Sequence, residues 1–584
     1  MKKSLRRACS WLMAMVMVLS MALSANAATT TTPPSGWPTT ISETLTVEGL
    51  ETGLTVYGYK IVEAVWDDND NLIYQQVETL QKSVYDTTTQ TYVDAIADVT
   101  APTSDEITAI AAKIIAKTVT LDKITFTEST TDPDIYTADV TVAGTWLVIV
   151  QGSENVSTVY NPMIVSAYYT YDDSGTQVKI ESGSDAVSAK GNWNIASAAS
   201  SAYAKSSTTT FEKTIVGSGS GNDHGDDVAI GDLITYQIKT NFPTYDPTYY
   251  KDVVFTITDQ MDTSLSYAEG NHLTITVGGN DVTDEDAYVT VTAPKANEAG
   301  GTLIADFDSD FVLANPGAEV IITFQARLNE TAGINYDPNV NKASYKYTNG
   351  YDENGDATYY EDDDETYHYT FGIDATLSGS TSGSWSEYTH ELIKVAADQW
   401  EKTSLTETVS GRWEYNTSLE GAGFQLLADD KTTVVADAVS DEYGNLSFTG
   451  LDAGIYYLQE TSAPVGYAVD STLHEVKISA TYNDDKTSDE YGTLTSYSIT
   501  IDGDTTSTYT ATYKSKEDGT HEVIVKDVTV VTDPTTALMN YKMGALPSTG
   551  GIGATIFTIV GCVVMVGAAG LFFATRRRRQ AKRS

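Results

Sequence analysis

Between residues 28 and 543, apolar and polar positions alternate in short runs: TLTVEG, GLTVYGYKIV, TWLVIV, DLITYQIKT, VVFTIT, VIITFQARL, KASYKYT, NLSFTG, IYYLQE, YSITID and HEVIVKDVTVV. Turn residues separate them. A period of two sends successive side chains to opposite faces, so each run predicts a strand with one buried face. Thr, Val, Tyr and Ile fill the runs, and the series predicts an all-β chain of β-sandwiches. The stretch suits about three domains. One segment departs from the rule. In SDEITAIAAKIIAK (104–117), Ile107, Ile110 and Ile114 stand at helical spacing, with Ser104 or Asp105 able to cap. It predicts a helix crossing the end of the first sandwich. Residues 196–210 are almost all Ser, Ala and Thr, and SGSTSGSWS (378–386) is rich in Gly and Ser. Both predict linkers, giving domains of 28–202, 203–380 and 381–543. The acidic runs DDNDN (67–71) and EDDDE (361–365) predict solvated loops. Neither matches an ordered calcium loop, so no metal or other cofactor is expected.

The two ends follow other patterns. MKKSLRRACSWLMAMVMVLSMALSANA begins with four basic residues, continues apolar, and closes on Ala25-Asn26-Ala27. Residues 1–27 therefore read as a secretory signal peptide. Residues 554–575 carry no charge. At about 1.5 Å per residue they span roughly 33 Å, enough for a transmembrane helix. Arg576, Arg577, Arg578, Arg579, Lys582 and Arg583 follow at once. By the positive-inside rule this tail is cytoplasmic and the bulk of the chain lies outside.

Processing changes the composition. Four of the 35 basic residues lie in the head and six in the tail, whereas all 80 acidic residues lie between, leaving a net charge of about −55. Nucleic acid and anionic lipid are disfavoured as partners, since both need a positive surface. Cys9 and Cys562 fall in the two ends. The processed chain thus has no cysteine, although export would allow disulfides. No GxSxG or HExxH pattern occurs, and Gly217 to Gly221 (GSGSG) reads as a loop, which counts against an anchored hydrolase.

Strand parity exposes an anomaly. Lys213 shares a face with Phe211 and Ile215; Asp259 with Val253, Phe255 and Ile257; Asn341 with Ala343, Tyr345 and Tyr347. Each polar residue points with apolar ones, and burying any one alone costs several kcal/mol, on the order given for unpaired polar groups. Asp232 and Asp262 are rivals to Asp259, and Asn339 to Asn341. The third domain repeats the order: Lys394 with Leu392 and Ala396, Glu460 with Tyr456 and Leu458, Asn540 with Leu538.

Several motifs resemble a known family. LEGAGFQLL (419–427) and YYLQETSAPVGY (456–467) look like a Cna-B-type domain, whose E-box has the form YxLxETxAPxGY. GLTVYGYKIV and AGTWLVIV…VYNPMIV look like a pilin N-terminal domain. IGDLITYQI, TITDQM and NKASYKYTNG look like a D2-type pilin domain. LPSTGG (546–551), then an apolar span and basic tail (544–584 in all), resembles a cell-wall sorting signal. The whole chain resembles a Gram-positive major (backbone) pilin, with three tandem immunoglobulin-like or Cna-B-type sandwiches.

That resemblance implies a set of covalent bonds. Lys213 would join Asn341 with Asp259 assisting, and Lys394 would join Asn540 with Glu460 assisting, each tying a domain's first strand to its last. A class C sortase would recognise Leu546 and Pro547, cleave between Thr549 and Gly550, and pass the Thr549 acyl group to a lysine of another copy. Family members carry WxxxVxVYPK before the middle domain. Here Trp193 and AYAK (202–205) stand in its place, with Ala204 for the proline, a longer spacing and no valines. Lys205 is the expected polymerising lysine by position, with Lys190 as the alternative. The implied protein is a non-enzymatic fibre subunit attached to Gram-positive peptidoglycan, working with ancillary pilins and host matrix or cell surface. The alternative is an ancillary pilin or a monomeric wall-anchored adhesin.

Overall fold

The computed structural model describes residues 29–34, 43–171, 177–181, 200–515, 521–529, 536–543 and 565, except 69, 71, 82–83, 87–90, 100, 271, 375, 380–384, 389–390, 399–404, 408–412 and 416–417. The signal peptide, the apolar span apart from Met565, the sorting motif and Lys190 lie outside the described residues. Among the described residues no helix is long and apolar enough to cross a membrane. They are mostly strand, as the alternation predicts. Two compact units form. One takes the chain to Asp226 with Ile230–Ala332 and Asn339–His368; the other takes Asp227–Ala229, Gly333–Pro338 and the chain from Tyr369.

The first unit begins with β1 (Glu43–Glu48), β2 (Val56–Trp66), β3 (Leu72–Gln76), helix α1 (Ser104–Ile115), β4 (Lys123–Glu128), β5 (Ile135–Val140), β6 (Gly144–Val150), β7 (Val159–Asn161) and β8 (Met163–Tyr171). The sheet runs β8-β6-β2-β4-β5-β1, with β3 on β2. Every residue of β6 is buried. Helix α1 buries Ile107, Ile110 and Ile114 as expected, but its cap is Thr103. Glu106 returns to the Thr103 N–H at 2.7 Å, completing a capping box, so the cap lies before both of the residues expected for it, Ser104 and Asp105.

The expected linker 196–210 is not a free tether where it is described. Ser201–Tyr203 (β9) runs parallel to β1, and Lys205–Ser207 (β10) runs antiparallel to β7. Backbone pairing overrides a composition with little preference of its own. The unit continues with β11 (Phe211–Ile215), β12 (Leu233–Asn241), β13 (Phe255–Tyr267), β14 (Ala299–Phe307), β15 (Glu319–Leu328), β16 (Asn339–Tyr351) and β17 (Ala357–Tyr369). The ladder runs β11-β12-β15-β13-β16-β17, and β14 pairs with β13. The EDDDE run is thus the middle of a strand and not a loop. Lys342 and Lys346 of β16 meet Asp363 at 2.8 Å and Glu361 at 2.6 Å across the ladder, which relieves the like-charge repulsion.

The two halves of this unit are pinned to each other by side chains reaching carbonyls. Asn349 donates to Ser153 O and Val156 O, both at 2.6 Å, and Tyr250 donates to Tyr160 O at 2.7 Å.

The second unit contains β18 (Leu392–Ala396), β19 (Gly423–Leu427), β20 (Val434–Val439), β21 (Gly454–Ser462), β22 (Leu473–Tyr482), β23 (Leu494–Ile501), β24 (Asp504–Ser515), β25 (His521–Thr529) and β26 (Thr536–Asn540). A seven-stranded sheet runs β20-β19-β21-β22-β23-β24-β25, and β18 pairs in parallel with β26. Both ends of the Gly/Ser-rich stretch expected as a linker lie in strands, Thr376–Gly379 and Trp385–Tyr388, which pair antiparallel. The unit starts at Tyr369, ahead of the expected boundary at 380.

Candidate cross-linking sites

In β11, burial alternates so that Lys213 faces inward, opposite Ile238 of β12. Its N–H donates to Asp364 of β17 at 2.7 Å, which brings the two ends of the ladder side by side. Asp259 lies mid-strand in β13, opposite Ala343 of β16; Asn341 lies opposite Met261 and Thr366. The closed ladder therefore gathers Lys213, Asp259 and Asn341, which are 0%, 1% and 0% exposed. The Lys213 ammonium is in direct contact with Asp259 Oδ2. Its Nζ sits 4.8 Å from the Tyr236 ring centre and 5.4 Å from that of Phe324.

The electrostatics suit amine chemistry. Desolvation pushes the Lys213 amine down, opposed by Asp259. Desolvation pushes the Asp259 carboxyl up, opposed by Lys213 and the Asn341 amide. Both groups are thereby drawn toward neutrality. The Asn341 amide lies beside Asp259 and Tyr236, yet neither its Nδ2 nor its Oδ1 meets a partner at full hydrogen-bond geometry. An amide held that way is free to react. The rivals fit less well. Asp232 and Asp262 are exposed, and the Asn339 amide is committed to His368 O at 3.0 Å. One expectation needs correction: Asn341 stands on β16, and β17 follows it, so the bond would reach the last strand but one.

In the second unit, Lys394 (0% exposed) lies on β18 and Asn540 (0%) on β26, with Ala396 the register partner of Asn540. Glu460 projects from β21 and is 4% exposed. Lys394 Nζ stands 3.2 Å from Glu460 Oε1. Glu460 Oε2 accepts from Asn540 Nδ2 at 2.8 Å and from the Asp470 N–H at 2.6 Å. Asn540 Nδ2 also donates to Ala468 O at 2.8 Å, while its Oδ1 is without a partner among the described residues. Desolvation lowers the Lys394 amine, with Glu460 opposing. Gly444 lets a loop close over β18: its φ is +82°, and a Cβ there would lie 2.6 Å from Lys394 O.

Lys205 is exposed at the start of β10, opposite Asn161, well separated in environment from Lys213. Two residues at the middle site escaped the sequence reading. Tyr236 and His368 are fully buried, and the Tyr236 hydroxyl meets His368 Nε2 at 2.8 Å. Tyr236 shares parity with Ile234 and Ile238, and a buried hydroxyl in that row was the available signal. Among the described residues no cluster of three His, Cys, Asp or Glu is arranged to hold a metal ion.

Residues 41–190 match the T6 antigen Ig-like domain, 413–490 the SpaA prealbumin-like fold domain, and 539–581 the LPXTG cell wall anchor motif. The trypsin-resistant surface T6 protein of Streptococcus pyogenes serotype M6 is 26% identical over 574 residues, spanning 91% of this chain and 95% of its own length. The chain is homologous to the T6 backbone pilin. The solved three-domain structure of that pilin superposes with a TM-score of 0.53 at 19% identity, over 86% of this chain and 99% of its own, and shows the same fold. The major pilin SpaD of Corynebacterium diphtheriae matches with a TM-score of 0.40 at 16% identity, over 86% and 97%. The anchor motif and the surface relative make this a cell-wall-attached surface protein of a Gram-positive bacterium.

Proposed function

We propose that this protein is the backbone subunit of a covalent surface pilus, hardened from within by two lysine–asparagine amide bonds. The observation that carries this reading is the recurrence of a buried Lys/acid/Asn set in two separate units of a homologue of a backbone pilin. In each set the neutral lysine attacks the asparagine side-chain carbonyl. Asp259 or Glu460 relays the proton and ammonia leaves. Proximity in the folded core replaces an external catalyst. Each site turns over once, so the protein is a substrate of its own fold and not an enzyme.

Polymerisation would use the other end of the chemistry. A class C sortase cleaves between Thr549 and Gly550 and transfers Thr549 to Lys205 of the next copy, with Lys190 as the alternative acceptor. Partners are further copies of the chain, ancillary pilins, peptidoglycan and host surfaces. Immunoblotting of cell-wall extracts tests the fibre: a ladder of covalent high-mass species is expected, and a single monomer band would overturn it. Intact mass tests the internal bonds, each of which removes one ammonia, about 17 Da.

A further inference from the structure

The part of the second unit that leads to the sorting motif is apolar on its outside, in a chain that is strongly acidic as a whole. Nine uncharged residues, Thr461 to Val469, lie between Glu460 and Asp470, and Pro534 to Tyr541 are eight more. The two stretches meet as a ribbon just past β21 and β26. The Ala468 N–H donates to Tyr541 O and the Met543 N–H to Gly466 O, both at 2.9 Å, and Tyr467 bridges to Lys542. On this ribbon Val465 is fully exposed, Tyr541 and Met543 are 68% and 60% exposed, and Val469 is half exposed. Exposed apolar residues scattered singly need no explanation, but four on one short ribbon mark a contact surface. The one charge on these two segments, Lys542, is held by Asp398 at 2.9 Å.

We propose that this ribbon docks on a second copy of the chain, against the outward face that carries Tyr203 and Lys205. This rests on the reading in which Thr549 is joined to Lys205 of the next copy.

Covalent reach selects that occupant first. Thr549 follows Met543 by six residues, roughly 20 Å of fully extended chain. A neighbour bonded through Lys205 therefore brings the surroundings of Lys205 close to the ribbon. Those surroundings offer an apolar match. Tyr203 is 73% exposed, Ala204 is buried and Lys205 is exposed, so the tyrosine and the lysine point outward on the same side. The Tyr203 ring packs on Gly49, whose φ is +76° and where a Cβ would lie 2.6 Å from the ring Cζ. A tyrosine supported at its base and otherwise in water presents a large contact area at little entropy cost. Charge favours the same pairing. With a net charge of about −55 after processing, two copies repel wherever carboxylates face each other. The two segments of the ribbon carry no carboxylate, so an acidic neighbour settles there at least cost. The tether makes a small patch sufficient. Joining Thr549 to Lys205 turns docking into an intramolecular event at an effective concentration of about 1 mM, and a contact with a Kd of about 0.1 mM is then closed about nine-tenths of the time.

The test labels introduced cysteines, since the processed chain has none of its own. Val465→Cys, Tyr203→Cys and, outside the ribbon, Val216→Cys are each placed in the full chain, and in parallel in a Lys205→Ala chain that cannot be joined through that lysine. All three positions are exposed, so none disturbs a core. Fibres and unjoined chains released from the cell wall are treated with a maleimide, and the labelling rates are compared. Val465→Cys and Tyr203→Cys are expected to label about tenfold more slowly in fibres, in proportion to the closed fraction, and Val216→Cys equally in both. Ser201→Cys, exposed two residues before Tyr203, takes its place should Tyr203→Cys prevent joining. Equal rates in fibres and unjoined chains overturn the proposal. So does equal slowing at Val216, which would mean general shielding. Slowing at Val465 alone also overturns it, since the ribbon would then be covered by another occupant, such as the sortase or a lipid headgroup. Failure of the polymerisation reading is distinct: peptides joining Thr549 to Lys205 would be missing from digests of wild-type fibres.

Discussion

Asn341→Ala removes the acceptor of the middle bond while leaving Lys213 and Asp259 in contact, so it isolates the cross-link from the buried charges. The bond closes a loop of 128 residues between positions 213 and 341. In the loop-entropy model a link across such a loop is worth about 5 kcal/mol at 25 °C. The truncated amide adds a smaller packing loss in a site that is 0% exposed. Each kcal/mol moves a midpoint by about 2–4 °C in domains of 150–250 residues, and the first unit exceeds that size. The expected fall in its melting transition is therefore about 10 °C, with the second unit's transition unmoved. Differential scanning calorimetry reads the transitions, and the deficit of the intact mass from the mass expected of the variant sequence must shrink by one ammonia. A deficit reduced in this way with a midpoint change under about 3 °C would refute the loop argument. A deficit equal to that of the wild type would mean that Asn341 forms no bond.

Three further outcomes are expected. Lys205→Ala should abolish the high-mass ladder on immunoblots while leaving the internal mass deficit intact, and Lys190→Ala should leave the ladder in place. Glu460→Gln keeps the size and the oxygen that accepts from Asn540 and Asp470 but cannot relay protons; one bond should be lost, so the deficit from the expected mass should shrink by one ammonia, about 17 Da. Asp374, buried against Glu391, has its carboxyl pushed well above the ordinary range by desolvation first and the Glu391 charge second. Its folded form holds a proton that the unfolded form releases, so the second unit gains stability as pH falls through the folded-state value toward the ordinary carboxylate value. Melting between pH 7 and 5 should show this rise, and Asp374→Asn should flatten it; equal slopes would refute the assignment.

The sequence yielded the middle site because β11, β13 and β16 alternate cleanly, leaving Lys213, Asp259 and Asn341 visible as polar residues in apolar rows. Parity singled out Lys394 as well, by its place with Leu392 and Ala396, although all five residues of β18 are buried and the strand has no outward face to contrast. The E-box motif added the independent signal at that site. EDDDE was misread because charge density alone suggests solvent, and the compensating Lys342 and Lys346 lie on another strand. The supposed linker near 202 was misread for a related reason. Ser and Ala carry little strand preference, and the pairing is supplied by β1 and β7 far away in sequence. Tyr236 and His368 were missed because an aromatic in an apolar row is normally core, and only the 2.8 Å contact between them marks a polar device.

The placement of the bonds has a mechanical consequence in a fibre linked through Lys205 and Thr549. Tension enters one copy at Lys205 and reaches Lys213 after eight residues. With the proposed bonds in place it would then cross the amide to Asn341, bypassing the 128-residue loop between them. From there it would run to Lys394, cross to Asn540 over a second loop of 146 residues, and leave at Thr549. The strands before Lys205 lie off this path altogether. β18 and β26 are adjacent and parallel, so without a bond a pull in opposite directions on their ends would shear five residue pairs of backbone ladder. The proposed amide would take that load in place of hydrogen bonds individually worth about 1 kcal/mol. On the proposed reading the processed, cysteine-free chain would resist both extension and reduction, and the two lysines at 205 and 213 would divide the work: the exposed one receiving the load and the buried one carrying it past the fold.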